Sequence, residues 1–216
     1  MAELIKDMSQ DDIAAHLRDE VCRTARKETG RLVTPQDPAL FGAVRGVMCD
    51  LDYVAALYFG WTGKRRDQIS SKRKSVRFLR EVMPAATGEA GYRQFARHLY
   101  DLYRCGVVHL RAPKLLQSPS ASTKALTWAL MYPRRGEAEI NGTVLEVEHL
   151  KLLRPTARLA YLPLSIQALL DDFLTTCEHL AHEFEMERDA GKSELRNRWR
   201  SSANALVDPE PTKLRW

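Results

Sequence analysis

Residues 99–114 read Leu99-Tyr100-Asp101-Leu102-Tyr103-Arg104-Cys105-Gly106-Val107-Val108-His109-Leu110-Arg111-Ala112-Pro113-Lys114. The apolar and aromatic positions before Arg104 belong to a helix predicted over 92–110. Pro113 limits it, because proline disfavours helical backbone at the residue before it. The segment makes the middle of the chain helical and sets Arg104 and His109 in the helix's last turns. Five positions at about 100° each put these side chains roughly 140° apart on an ideal helix. They converge only if the turn at Gly106 loosens or a second subunit completes the site. A histidine near its ordinary pKa can move a proton, and a permanently charged arginine can stabilise a developing phosphorane, so the pair suits metal-free cleavage of RNA. Spacing alone carries no weight: with 6 histidines, roughly two R-x(4–6)-H matches are expected by chance. The chain has two, the other running from Arg93 to His98.

Upstream, Ser9 and Asp12 form a capping-box variant before Ile13, Leu17 and Val21, which predicts a first amphipathic helix stopped by Gly30. Leu40 to Phe59 is apolar on most faces and reads as a buried helix. A basic helix is predicted over 67–83, with a loop from Pro84 to Ala90. Downstream the periodicity changes: Ala125 to Tyr132 is strand-like, and Ile140-Asn141-Gly142-Thr143 is a two-residue hairpin signal leading into Val144 to Val147. Pro163 suits the first turn of a long helix whose stripe is Leu170, Phe173, Leu174, Cys177, Leu180, Ala181 and Phe184. The expected architecture is mainly α, a helical bundle with a small antiparallel β-ribbon insertion. Residues 1–190 form one helical domain with the ribbon at about 122–148, and residues 191–216 a short helix around Leu195 and Trp199 and a loosely ordered tail.

A chain of 216 residues with 44% hydrophobic residues can bury a real core. The formal charge of +5 favours polyanionic partners weakly, because 33 basic residues face 28 acidic ones. Where the charge clusters says more. Lys64, Arg65 and Arg66 with Lys72, Arg73, Lys74, Arg77 and Arg80 stand against Asp67 alone. On a helix Arg73, Arg77 and Arg80 share one stripe, which can track phosphates or be a solvated face. Cys22, Cys49, Cys105 and Cys177 lie too far apart for a zinc ribbon or a disulfide framework, and reduced thiols in a cytoplasm are expected. The first residues lack the pattern of a signal peptide, and no apolar run approaches membrane-spanning length. No metal is expected: His179 with His182 and the Glu146–His149 E-x-x-H are incomplete ligand sets.

The run before Arg104, the small pair Cys105-Gly106, the two valines and His109 together give segment 99–114 its specificity. It resembles the signature helix of the HEPN superfamily, helical domains named from their occurrence in higher eukaryotes and prokaryotes. The helical frame with a late ribbon and a long C-terminal helix is similar over about residues 10–190, although only this segment is specific. The resemblance implies metal-independent endoribonuclease chemistry without a cofactor, with Arg104 and His109 as catalytic residues, usually in a homodimer whose two motifs face each other. It also implies a prokaryotic defence, toxin or stress context, where a cognate antitoxin or other protein partner is expected. Active members often carry a polar residue after the arginine, and Cys105 stands there in this chain.

Asp101, one turn earlier, could orient His109 or contact Arg104, or be an exposed helix carboxylate. Asp50 and Asp52 sit in the apolar second helix, where a buried carboxylate needs a partner such as Arg45 or Arg104; Asp50 facing Arg104 would hold its guanidinium. The leading expectation is an RNA-binding protein, with Lys64, Arg65, Arg66, Arg73, Arg77 and Arg80 on the RNA backbone. The alternative is a non-catalytic helical interaction or nucleotide-binding module forming a dimer. A third reading, a DNA-binding regulator, rests only on a ribbon that could serve as a wing.

Overall fold

The computed structural model describes residues 5–33, 39–64, 66–105, 116–118, 121–140 and 142–207. Six helices and five short strands make up this part: α1 (10–32), α2 (Leu40–Phe59), α3 (72–87), α4 (90–105), β1 (Leu116–Ser118), β2 (Ala121–Met131), β3 (Arg135–Ile140), β4 (Thr143–Glu148), β5 (Leu159–Ser165), α5 (Ile166–Asp189) and α6 (Glu194–Val207). The protein is mainly α with a small antiparallel ribbon, β3–β4, as expected from the sequence. His109 and Arg65 lie outside the described residues.

Helix α1 starts where the sequence predicts. Ser9 accepts the Asp12 N–H while Asp12 accepts the Ser9 N–H at 2.9 Å, a reciprocal cap that satisfies two end donors. Gly30 does not stop it. The helix runs on to Leu32, whose side chain lies over Gly42 of α2; this packing outweighs the weak helix propensity of glycine. Helix α2 occupies the predicted span, with Val44, Val47, Met48, Leu51, Val54 and Leu57 almost fully buried.

The basic helix begins later and ends later than its charge pattern suggests. Ser71 caps it through the Lys74 N–H, and Pro84 lies inside it rather than opening a loop. A π-wound turn, Phe78–Val82, precedes the proline. Such a turn disturbs the hydrogen-bond ladder just where proline has no N–H to give. Gly88, at φ 75°, takes the left-handed conformation that ends the helix.

Pro163 is not in a helix. It sits in β5, which pairs in parallel with β2 at the edge of a three-stranded sheet ordered β1-β2-β5. An edge strand tolerates the missing N–H. Ser165 then caps α5 by accepting the Ala168 N–H at 3.0 Å. Beyond the sheet, Ile140 pairs with Thr143 across the β3–β4 turn, with Gly142 at φ 75°. Tyr103 of α4 donates to the Leu162 carbonyl, fastening α4 to the parallel pair.

A buried polar chain joins sheet, ribbon and bundle. His149 accepts the Ser165 N–H at Nδ1 (3.0 Å), which places its proton on Nε2, facing the Tyr92 hydroxyl at 3.2 Å. Tyr92 donates to Asp172 Oδ2 at 2.9 Å, and Arg134 donates to Asp172 Oδ1 at 2.8 Å. Burial, with Arg134 nearby, pushes the His149 pKa down to about 3, so the ring stays neutral. Both ring nitrogens are spent on protein partners, which accounts for the E-x-x-H histidine without a metal. Replacing Tyr92 with Phe orphans His149 Nε2–H and Asp172 Oδ2 together. Urea unfolding is expected to show a loss of about 2–3 kcal/mol with an unchanged m-value.

Candidate functional site

Arg104 is the last residue but one of a π-wound segment, Tyr100–Cys105, that closes α4. Winding of this kind bonds residue i to i+5 and brings residues five apart close to one face. Arg104 and His109 have that spacing in sequence. The winding covers residues 100–105, and the stretch from 106 to His109 lies outside the described residues.

The guanidinium of Arg104 meets Asp52 of α2. Its Nε donates to Asp52 Oδ2 in a close ion pair, with the side chains only 18% and 8% exposed. Asp52 Oδ1 and Arg104 Nη1 are buried without a hydrogen-bond partner among the described residues. The arginine is therefore anchored through one edge and keeps a donor unspent. Asp50 lies two positions, about 200°, around the same helix. Its pKa is raised to about 6 by burial first and by Glu28 of α1 second, so its face of α2 looks toward α1. Arg45 is exposed. The sequence reading sets Asp50 against Arg104; the packing corrects it, because Asp52 holds the guanidinium and Asp50 lies on the face toward α1.

Asp101 contacts Lys72, the first residue of α3, in a close ion pair, and lies 3.7 Å from Arg97. The Lys72 ammonium also sits 5.7 Å from the centre of the Tyr100 ring. The start of the basic helix is thereby tied to the motif helix one turn before Arg104.

Along α3 and the loop before it runs a groove of about 860 Å³, lined among others by Phe59, Thr62, Lys64, Arg66, Arg73, Arg77 and Arg80. Its cations are not equivalent. Lys74 is buried, donating to the Gly60 and Ile69 carbonyls at 2.6 and 3.1 Å with Asp67 at 3.3 Å. It is a strut. Asp67, which sequence reads as the lone acid of a basic window, organises the loop by accepting the Thr62 N–H at 2.7 Å. Arg77 is divided between Glu81 at 2.7 Å and the Phe59 ring at 4.5 Å. Lys64, Arg66, Arg73 and Arg80 are exposed, and none has a carboxylate partner among the described residues. The predicted stripe of Arg73, Arg77 and Arg80 is thus brought to one groove together with Lys64 and Arg66. Arg104 lies elsewhere, against Asp52; about seven residues of α2, roughly 10 Å of helix, separate Asp52 from Phe59 at the groove's edge.

Among the described residues no three His, Cys, Asp or Glu side chains converge as a metal site, and no helix is long and apolar enough to cross a membrane. Comparison with protein-family models, curated proteins and solved structures returns no match.

Two outcomes check this geometry. Asp52→Ala leaves a largely buried guanidinium unpaired and should cost about 2–4 kcal/mol, whereas Asp52→Leu with Arg104→Met should recover most of it. A double variant as unstable as the single one would mean the pair is not the source of the loss. Asp50 binds its proton more tightly folded than unfolded, so its contribution is present in acid and lost as pH rises through about 6. Asp50→Asn should therefore raise thermal stability near pH 8 by the equivalent of about 1–2 kcal/mol, the gain fading toward pH 4.

Proposed function

We propose that the chain binds RNA along the groove of α3, and that Arg104 with His109 forms a metal-independent endoribonuclease site of the kind the HEPN resemblance implies, completed in a homodimer. The observation that carries the RNA-binding reading is the set of four exposed cations, Lys64, Arg66, Arg73 and Arg80, along one groove, with no carboxylate partner among the described residues. Single-stranded or duplex phosphates release counterions when they meet such a row. The Lys72–Asp101 tie places the motif helix beside this row. Arg104, held at one edge by Asp52 and 18% exposed, supplies the positive charge for a scissile phosphate.

In the proposed chemistry His109 takes the proton of a ribose 2′-hydroxyl, the resulting oxyanion attacks the adjacent phosphorus, and Arg104 holds the charge that builds on the phosphorane; the P–O5′ bond then breaks, leaving a 2′,3′-cyclic phosphate, and the departing 5′-oxygen takes the proton back from the His109 imidazolium. Asp52 keeps the guanidinium in place. A prokaryotic defence, toxin or stress role with a cognate protein partner rests on the resemblance alone.

A second reading follows from the Asp52–Arg104 pair. An arginine neutralised by a buried carboxylate has a structural role already, and a non-catalytic binding module would need it for nothing else. Cleavage and binding assays on mixed-sequence RNA separate the two. Replacing Arg66, Arg73 and Arg80 with Glu should weaken RNA binding by on the order of 100-fold and flatten its dependence on log salt by about 0.7 per lost phosphate contact. His109→Ala should keep binding but cut at least about 100-fold more slowly, with wild-type cleavage unaffected by chelator. Unchanged binding in the triple variant ends the groove assignment; unchanged cutting in His109→Ala ends the catalytic one.

A further inference from the structure

A pocket of about 540 Å³ opens beside α4, away from the basic groove's lining. Its volume lies within the roughly 300–1,000 Å³ typical of small-molecule sites. Phe95, Leu126, Leu152 and Leu159 give it an apolar wall, and Arg97, Arg154 and Arg158 a cationic one.

The two last arginines stand on a shaped turn. Leu153 and Tyr161 exchange both backbone hydrogen bonds, at 3.0 and 2.8 Å, and close its base. At its tip Thr156 Oγ1 accepts the N–H groups of Arg158 and Leu159, at 3.3 and 3.0 Å. The Arg158 carbonyl accepts the Ala125 N–H of β2 at 2.8 Å, which fixes the turn to the sheet. Arg154 and Arg158 thus stand on opposite legs of one hairpin-like loop. Neither has a carboxylate within 4.0 Å among the described residues. The acid in the pocket, Asp101, is already engaged by Lys72 and Arg97.

An apolar wall facing unpaired guanidinium groups calls for a ligand with a flat apolar body and a compact multiple negative charge. Arginine forks suit phosphate oxygens, and the apolar wall would stay wet beneath a simple anion. We propose that this pocket binds a nucleotide, its base against Phe95, Leu126 and Leu152 and its phosphates between Arg154 and Arg158. The same chemistry is presented by a free nucleotide and by the phosphorylated end of an RNA strand. The site does not depend on RNA cleavage by Arg104 and His109, nor on the groove of α3.

The test uses the full chain and ADP carrying a fluorescent group on its ribose, displaced by unlabelled ADP, adenosine, pyrophosphate, or a short RNA with or without a terminal 5′-phosphate. Saturable binding is expected, with adenosine and pyrophosphate each at least about tenfold weaker than ADP. Arg154→Glu with Arg158→Glu should weaken ADP at least about tenfold, and Ala157→Trp, an exposed position at the mouth, should do the same by blocking entry. Both variants should melt like the wild type. The Arg66, Arg73 and Arg80 variant should bind ADP normally, which separates this site from the RNA groove. Displacement by the 5′-phosphorylated RNA and not by its unphosphorylated twin identifies a strand end as a ligand; displacement by ADP alone identifies a free nucleotide. No saturable binding, pyrophosphate competing as well as ADP, or full affinity in both pocket variants overturns the proposal.

Discussion

A helix that is apolar on most of its circumference has to be covered, and α2 is touched by each of the five other helices. That constraint organises the bundle. It also makes every polar group on α2 consequential, because water is excluded from most of its length. Asp52 answers by drawing Arg104 of α4 against it, and the Ala56 carbonyl answers by accepting the Ser202 hydroxyl of α6 at 2.8 Å. The motif helix is thus positioned by an electrostatic need of the core, and the groove cations, on the far side of the Lys72–Asp101 tie, are left for solvent or ligand.

The strands solve a different problem. Parallel pairing of β2 with β5 demands a long connection, and the β3–β4 ribbon lies within it. A ribbon of two strands is marginal by itself. Here it is held through its exit, where His149 enters the polar chain of Tyr92, Asp172 and Arg134 and Leu150 takes a positive φ of 56°. Gly91 permits this approach: a Cβ there would come within 2.6 Å of Leu150 Cβ. A glycine in the first turn of α4 and a left-handed leucine after β4 are parts of one joint.

The elements legible in sequence are those whose signals are local. The Ser9–Asp12 cap, the apolar span of α2 and the turn at Gly142 depend on residues within a few positions of one another. What could not be read depends on partners distant in sequence. Leu159–Ser165 is short and apolar, and only β2 makes it a strand, so Pro163 looked like a helix start. Asp50 was set against Arg104 in place of Asp52 because a helix with little polar face does not fix its phase. Lys74 is indistinguishable in composition from Arg73, and its burial becomes visible only once the Gly60 and Ile69 carbonyls are in place. The motif's arginine was legible as a candidate; the carboxylate assigned to hold it, Asp50, was the wrong one of two neighbours.

Trp199 of α6 is almost fully buried, edge-on to Phe184 of α5 at 5.6 Å and to His16 of α1 at 6.1 Å. The largest side chain of the core therefore comes from a helix that follows the other five, and it bridges α1 and α5. Domains fold as their parts emerge, and long-range contacts are formed late. A nascent chain lacking α6 would present the Trp199 site, between α1 and α5, as an open apolar cleft. Until α6 arrives, that cleft is apolar surface open to aggregation, whatever the finished surface binds.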